Sequence, residues 1–345
     1  MTFNKIIISW YQKNKRDLPW RKTKNPYHIW LSEIMLQQTR VEQGLPYYQK
    51  FVHHFPEVSD LANATEDMVL KLWQGLGYYS RARNLHATAK FITYEKNGQF
   101  PEKYSELLKL KGVGDYTASA IASICFGEPT AVVDGNVYRV LARYFGVDTA
   151  INSSAGIKYF KELATELIDE HDPATYNQAI MEFGARQCKP QSPNCDVCPL
   201  NGSCIALQKK IIDKLPVKIR KGVIKKRFFN YLVISDENRM LLEQRTKKGI
   251  WQNLYEFPLL ETTKEAKEQQ ITDSDILLEL IGNRPYEVSL FNKTMIVHKL
   301  SHQHIYTKFW IVDLKQKLNS GIKKTAIKDY PVPVLIANFV EEYGF

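Results

Sequence analysis

The chain has 345 residues, 44% of them hydrophobic, and 47 Lys and Arg against 37 Asp and Glu give it a formal charge of +10. That length exceeds what one core sustains, so two domains are expected, and no apolar stretch approaches membrane-spanning length, so no membrane partner is. The cationic excess favours a polyanionic partner, though only weakly, since many basic proteins bind no nucleic acid.

At the N-terminus, the apolar stretch before Trp10 is broken by Tyr11, Gln12 and Lys13 too soon for a signal peptide, so a cytoplasmic location is expected. Up to about Leu207, apolar residues recur with helical period in Phe3–Tyr11, His28–Thr39, Pro46–Phe55, Thr65–Gln74, Ser80–Tyr94, Tyr104–Leu110, Thr117–Phe126, Val137–Phe145, Ile157–Glu170 and Thr175–Gly184. Thr65-Glu66-Asp67 supplies an N-cap and first-turn acids, and strand-like alternation is nearly absent, so residues 1–208 read as an all-α domain. Residues 209–227, rich in Lys and Arg and carrying Pro216, read as an exposed basic linker. From 228 to 345 the period becomes two: Phe228–Ser235, Met240–Arg245, Tyr286–Phe291, Met295–Leu300 and His304–Leu314 read as strands. Helical patterns at Thr262–Gln270 and Val334–Tyr343 make this second domain α+β.

Four of the five cysteines, Cys188, Cys195, Cys198 and Cys204, fall in one window with six, two and five residues between them. In a reducing compartment such spacing favours metal over disulfides. Zinc usually takes two Cys-x-x-Cys pairs and this run has one, so an iron–sulfur cubane is preferred and zinc stays open. Cys125, in an apolar helix, reads as an ordinary buried thiol. Lys111-Gly112-Val113-Gly114 joins two helices through paired glycines, where backbone N–H groups at a helix start can meet a phosphate without reading sequence; the plainer alternative is a tight turn.

Leu110-Lys111-Gly112-Val113-Gly114, then Val133-Asp134-Gly135-Asn136-Val137, then the cysteine run, resembles the helix–hairpin–helix superfamily of DNA base-excision glycosylases. The resemblance covers about the first 207 residues, implies a helical glycosylase domain, and makes the metal group a [4Fe-4S] cluster. Where bifunctional members such as endonuclease III carry a Schiff-base lysine, this chain has Tyr116, and a phenol forms no imine. Trp30-Leu31-Ser32-Glu33-Ile34-Met35-Leu36-Gln37-Gln38 and Leu18-Pro19-Trp20-Arg21 resemble the MutY-type adenine DNA glycosylases.

That resemblance implies hydrolysis of adenine opposite 8-oxoguanine or guanine in double-stranded DNA by a monomer. Glu33, desolvated among apolar neighbours, is the expected general acid at adenine N7. Asp134, also a plausible N-cap, is expected to stay ionised and to steady the oxocarbenium ion or trap it covalently. Tyr116 and Asn136 are expected to hold Asp134 and the water, while Arg21, Glu182, Trp20 and Leu36 contact substrate, with Glu182 on the exocyclic amine. Gln38 is expected to fill the gap left by the flipped base and Tyr78 to stack beside the opposite base. Arg186 and Lys189 are candidate phosphate contacts.

Trp251-Gln252-Asn253-Leu254-Tyr255-Glu256-Phe257-Pro258 resembles the Nudix-like domain of these enzymes, without the Mg-binding glutamate helix of a working Nudix hydrolase. Leu300-Ser301-His302 stands where the family reads the lesion with Phe-Ser-His, so Ser301 and His302 keep the polar pair and Leu300 departs from the aromatic. His298 and His304 flank it, and the three histidines suggest an adventitious metal site. A lyase of the endonuclease III type and a silent mismatch-binding module are the alternatives; Tyr116 argues against the first, and Glu33 with Asp134 against the second.

Overall fold

A computed structural model describes residues 2–219 and 222–345, which divide into two units, Met1–Asn63 with Asn84–Arg220 and Ala64–Arg83 with Lys221–Phe345. Every regular element described in the first unit is helical. Its core is built on the Asp115–Phe126 helix, whose side chains from Thr117 to Ile124 are all buried. Ala118, Ser119, Ala120 and Ala122 are small enough to let neighbouring backbones approach, and the helices Pro26–Leu36 and Pro173–Arg186 pack there. Gly127 and Gly146, both with positive φ, end the Asp115–Phe126 and Gly135–Phe145 helices as left-handed caps.

Several boundaries differ from expectation. The Pro26–Leu36 helix stops before Gln38, whose φ of 56° leaves the right-handed region. The next helix begins at Val41, not Pro46; Pro46 stands in its second turn, where it withholds only the N–H that would reach the Glu42 carbonyl. A short helix, Val58–Asn63, and a 3-10 turn, Pro19–Arg21, carried no periodic signal. Part of the basic run is fastened rather than loose. Arg143 Nε donates to the Ile212 and Leu215 carbonyls, each at 3.0 Å, and Ile151 N donates to Val217 O at 3.0 Å.

In the second unit the strands Lys225–Ser235 and Gln303–Leu314 pair in parallel, Phe228 opposite Tyr306 and Ser235 opposite Asp313. Both faces of this pair are covered, which is why Tyr231-Leu232-Val233-Ile234 and Phe309-Trp310-Ile311-Val312 are continuously apolar. Leu232, Ile234, Trp310 and Val312 share one core cluster with Leu277 and Ile281 of the Asp275–Ile281 helix. On the opposite face Phe309 stacks on Phe339 of the Val334–Tyr343 helix, ring centroids 4.1 Å apart.

Tyr286–Leu290 and Ile296–Lys299 pair antiparallel with Gln303–Leu314, and Leu259–Thr262 pairs antiparallel with Lys225–Ser235. The expected strand Met240–Arg245 is two, Arg239–Met240 in the large sheet and Glu243–Gln244 paired with Tyr255–Glu256. The expected helix Thr262–Gln270 begins instead as the end of a strand, because Leu259 and Leu260 pair with Tyr231 and Asn230; helix follows at Glu268–Thr272 and Asp275–Ile281.

Candidate active site

The Pro26–Leu36 helix is buried on nearly every side from Ile29 to Met35, and Glu33 is only 7% exposed within it. Burial pushes its pKa up to about 7; the hydrogen bond from Tyr116 and the Arg21 charge lower it, while Asp134 raises it. Tyr116 lies in the first turn of the Asp115–Phe126 helix and donates to Glu33 Oε2 at 2.6 Å, 3.1 Å from Met181 Sδ. A phenol has one proton to give, and here it goes to Glu33 rather than to Asp134 as expected.

Asp134 caps the Gly135–Phe145 helix. Its Oδ1 accepts from the Asn136 and Val137 amides, both at 2.8 Å, and its Oδ2 from Asn136 Nδ2 at 2.7 Å. Desolvation raises the Asp134 pKa against these hydrogen bonds and the Arg139 charge, so its environment opposes ionisation more than the sequence implied. Asn136 is itself fixed: Arg139, three residues on along the same face, donates from Nη2 to Asn136 Oδ1 at 2.8 Å and to Gly184 O at 2.6 Å. A Cβ at Gly184 would lie 2.6 Å from Asn136 Cβ, so only glycine lets the two helices meet here. Arg139 was not picked out in the sequence; an arginine one turn after Asn136 was its only signal.

Glu182 makes a different corner. Its Oε1 accepts from Arg16 N at 3.0 Å and Arg16 Nε at 2.9 Å, and its Oε2 from Arg16 Nη2 and Arg21 Nη2, each at 2.7 Å. Burial alone would raise its pKa, but the arginine hydrogen bonds and charge carry it down to about 2. Arg16, absent from the expected set, is thus the main partner of Glu182, and the expected bond from Glu182 to an adenine amine would have to displace these donors. Beside this corner a cleft is lined by Arg16, Arg21, Tyr11, Lys15, Lys24 and Gln178. Trp20 is buried and edge-on to Tyr48 at 5.0 Å, directed inward by the Pro19–Arg21 turn. Leu36 is half-buried at the end of its helix.

In the Lys111–Gly114 hairpin, Gly112 has φ 81°, and a Cβ there would sit 2.8 Å from Asn84 Cβ. Gly112 and Gly114 are exposed, whereas Val113 is buried and its N–H donates to Leu110 O at 3.1 Å. Val113 therefore anchors the turn and has no amide to offer a phosphate. Arg186, expected at a phosphate, is exposed and donates to the Asn14 carbonyl. Gln38 is exposed with φ 56°.

In the second unit Tyr78 is 47% exposed with φ 48°, the Arg81 guanidinium 5.5 Å above its ring. A bulky side chain held at positive φ is an uncommon, strained choice that clusters at functional loops. In the same unit, Leu300 N donates to Gln303 O at 2.9 Å and closes a turn whose tip presents Ser301 and His302, their Oγ and Nδ1 atoms 3.1 Å apart. His298 packs edge-on against Trp251 instead, and among the described residues His298, His302 and His304 form no metal-holding group.

Cys188, Cys195, Cys198 and Cys204 line one cavity, together with Arg143. Arg143 Nη1 lies 3.5 Å from Cys188 Sγ; burial raises the Cys195 and Cys204 pKa values, and the Arg143 charge offsets only part of that rise. Four thiols around a shared cavity beside a cation fit a cluster of several irons.

Residues 31–171 match the HhH-GPD superfamily of base excision DNA repair proteins, residues 188–204 the iron–sulfur binding domain of endonuclease III, and residues 230–342 the NUDIX domain. These matches define a DNA N-glycosylase of base excision repair, with an iron–sulfur cluster on the four cysteines and a Nudix-like C-terminal domain. An adenine DNA glycosylase of Buchnera aphidicola subsp. Baizongia pistaciae is 37% identical over 334 residues, spanning 94% of this chain and 90% of its own. One from Buchnera aphidicola subsp. Schizaphis graminum is 39% identical over 264 residues, 75% of each chain. The solved structure of a thermostable thymine-DNA glycosylase is 30% identical, with a TM-score of 0.56, over 60% of this chain and 95% of its own. The chain belongs to the adenine DNA glycosylase family.

Proposed function

We propose that the protein excises adenine paired with 8-oxoguanine or guanine in duplex DNA, by hydrolysis and without a covalent lysine step. The observation that carries this reading is Glu33, a carboxyl held out of water with a pKa of about 7, beside a second carboxyl anchored by three hydrogen bonds. Two carboxyls in unlike environments are the arrangement that divides acid from charge stabiliser.

The adenine must first leave the stack. Exposure and backbone geometry suit Gln38 to fill the vacancy and Tyr78 to stack on the opposite base. Glu33 then gives its proton to adenine N7 as the C1′–N9 bond breaks, and the bonding pair leaves with the base. Tyr116 donates to Glu33 Oε2, so its hydrogen bond strengthens as Glu33 becomes a carboxylate and acts most in the transition state. Asp134 faces the cation left on the sugar, and Asn136, locked by Arg139, fixes which Asp134 oxygen stays available. Water completes the hydrolysis and returns a proton to solvent. Gly112 and Gly114, with Lys111, suit a backbone phosphate, and the exposed Ser301-His302 tip, with Leu300 as its apolar flank, suits the 8-oxo edge of the opposite guanine.

A single-turnover assay on an A:8-oxoguanine duplex, sampled with and without alkali, tests the reading. Adenine loss that yields strand breaks only after alkali is the expected result. Nicking without alkali would indicate a lyase, and no base loss a binding module; either overturns it.

A further inference from the structure

The second unit includes a segment from far upstream in sequence, residues 64–83, and one short loop holds it. Asn253 Nδ2 donates to Glu66 at the start of the Glu66–Trp73 helix, and Arg83 Nη1 donates to the Gln252 carbonyl at 2.7 Å. Tyr255 Oη donates to Asp67 Oδ2 at 3.1 Å. From that helix Trp73 Nε1 reaches Gly77 O at 3.0 Å, and Arg81 bonds the Leu76 and Gly77 carbonyls at 3.3 and 3.1 Å while lying over the Trp73 and Tyr78 rings.

The same loop meets the lesion-side hairpin through Trp251. Its ring lies edge-on to His298 at 5.6 Å, two residues before Leu300, and to Phe229 at 6.2 Å. Trp251 and Asn253 both have positive φ, 58° and 65°. Arg245 braces the base of the loop: its Nε donates to Ile250 O at 3.0 Å, and its carbonyl accepts from Asn253 N at 2.7 Å.

We propose that the Trp251-Gln252-Asn253 loop is a positioning element that joins the Leu300-Ser301-His302 turn to the Tyr78 loop, so that both groups reading the base opposite adenine are set by one braced piece. The inference rests on the opposite-base roles assigned above to Tyr78 and His302. A double-mutant cycle measures the coupling.

The readout is the ratio of single-turnover excision, or of binding, between A:8-oxoguanine and A:G duplexes. Asn253→Gly keeps the left-handed backbone and removes the bond to Glu66. It should lower the preference about fivefold, the scale of one hydrogen bond, and leave the A:G rate unchanged. Tyr78→Ala and His302→Ala should each lower the preference, and neither should lose its full increment when combined with Asn253→Gly. Glu66→Ala should reproduce Asn253→Gly, while Glu66→Gln, which still offers an acceptor, should retain the parent preference; this pair decides the matter if Asn253→Gly folds poorly. An unchanged preference in Glu66→Ala, or strictly additive losses, would overturn the coupling while leaving the base-reading roles intact. If neither Tyr78→Ala nor His302→Ala lowers the preference, those roles fail and the coupling falls with them.

Discussion

The Pro26–Leu36 and Pro173–Arg186 helices each bury one glutamate, Glu33 at 7% exposure and Glu182 at 1%, and give it different company. Glu33 meets a phenol, with apolar side chains around it, and its pKa rises to about 7. Glu182 meets two guanidinium groups and sits at about 2. Removing water disfavours the charge in both, so burial does not decide the outcome. What decides it is whether a cation compensates. A buried carboxyl without a cation is a proton donor at neutral pH, whereas one with two cations is an anchor. Arg21 belongs to both settings, bonded to Glu182 and exerting only a lesser charge effect on Glu33.

The comparison breaks most sharply at Glu33 itself. Glu33→Gln keeps the shape and one oxygen to accept from Tyr116 but has no acidic proton to transfer, so excision of adenine should fall by about a thousandfold while mispair binding holds. Single-turnover rates and a filter or polarisation titration measure the two; a rate within tenfold of the parent would end the acid assignment. The anchor should respond in stability instead. Arg16→Ala leaves Glu182 buried with a single guanidinium and should cost about 4 kcal/mol of unfolding free energy at pH 7. The folded Glu182 pKa is depressed, so the ion pair's contribution is present above the unfolded value and lost as pH falls toward about 2. The deficit of Arg16→Ala should therefore shrink between pH 5 and pH 3 in denaturant titrations, and a constant deficit would contradict the pairing.

Glu33 should show the opposite sign. Its folded pKa is raised from 4.5 to about 7, so the folded state binds the extra proton in that window and parent stability declines as pH rises through it. Glu33→Gln should accordingly be the more stable protein above pH 7, by up to about 3 kcal/mol, and no more stable near pH 4. Thermal melts at the two pH values test this, and equal gains at both would mean that burial at Glu33 is not what perturbs it.

Much of this was legible in the sequence where the signal is local. Glu33 stands among Trp30, Ile34 and Met35, Asp134 precedes Gly135-Asn136 in a capping position, and the cysteines fall in one short run. The partners that set the chemistry were not. Arg16 reads as a surface cation in Lys15-Arg16-Asp17 and is recruited by a glutamate 166 residues away. Arg139 looks like the polar side of an amphipathic helix, and its value lies in Asn136, Gly184 and the Cys188 carbonyl together. The same holds for strand Leu259–Thr262 and for residues 64–83, which take their places from pairings with distant chain that no local period encodes.

The finest test separates the phenol from the burial. Tyr116 donates to the ionised form of Glu33 and so lowers the carboxyl's pKa, against the larger upward push of desolvation. Tyr116→Phe removes the donor and leaves the apolar ring, so the Glu33 pKa should rise by about one unit or less. Excision that needs a protonated Glu33 declines as pH passes upward through its pKa, so the alkaline limb of the pH–rate profile should move to higher pH in the variant. The maximum rate should drop at the same time, because the hydrogen bond that steadied the departing proton's carboxylate is gone. The two effects have opposite signs above neutrality, so the profiles of variant and parent should converge on the alkaline side while differing most at low pH. A limb that moves to lower pH would mean that Tyr116 holds the acid's proton on Glu33 instead of drawing it off.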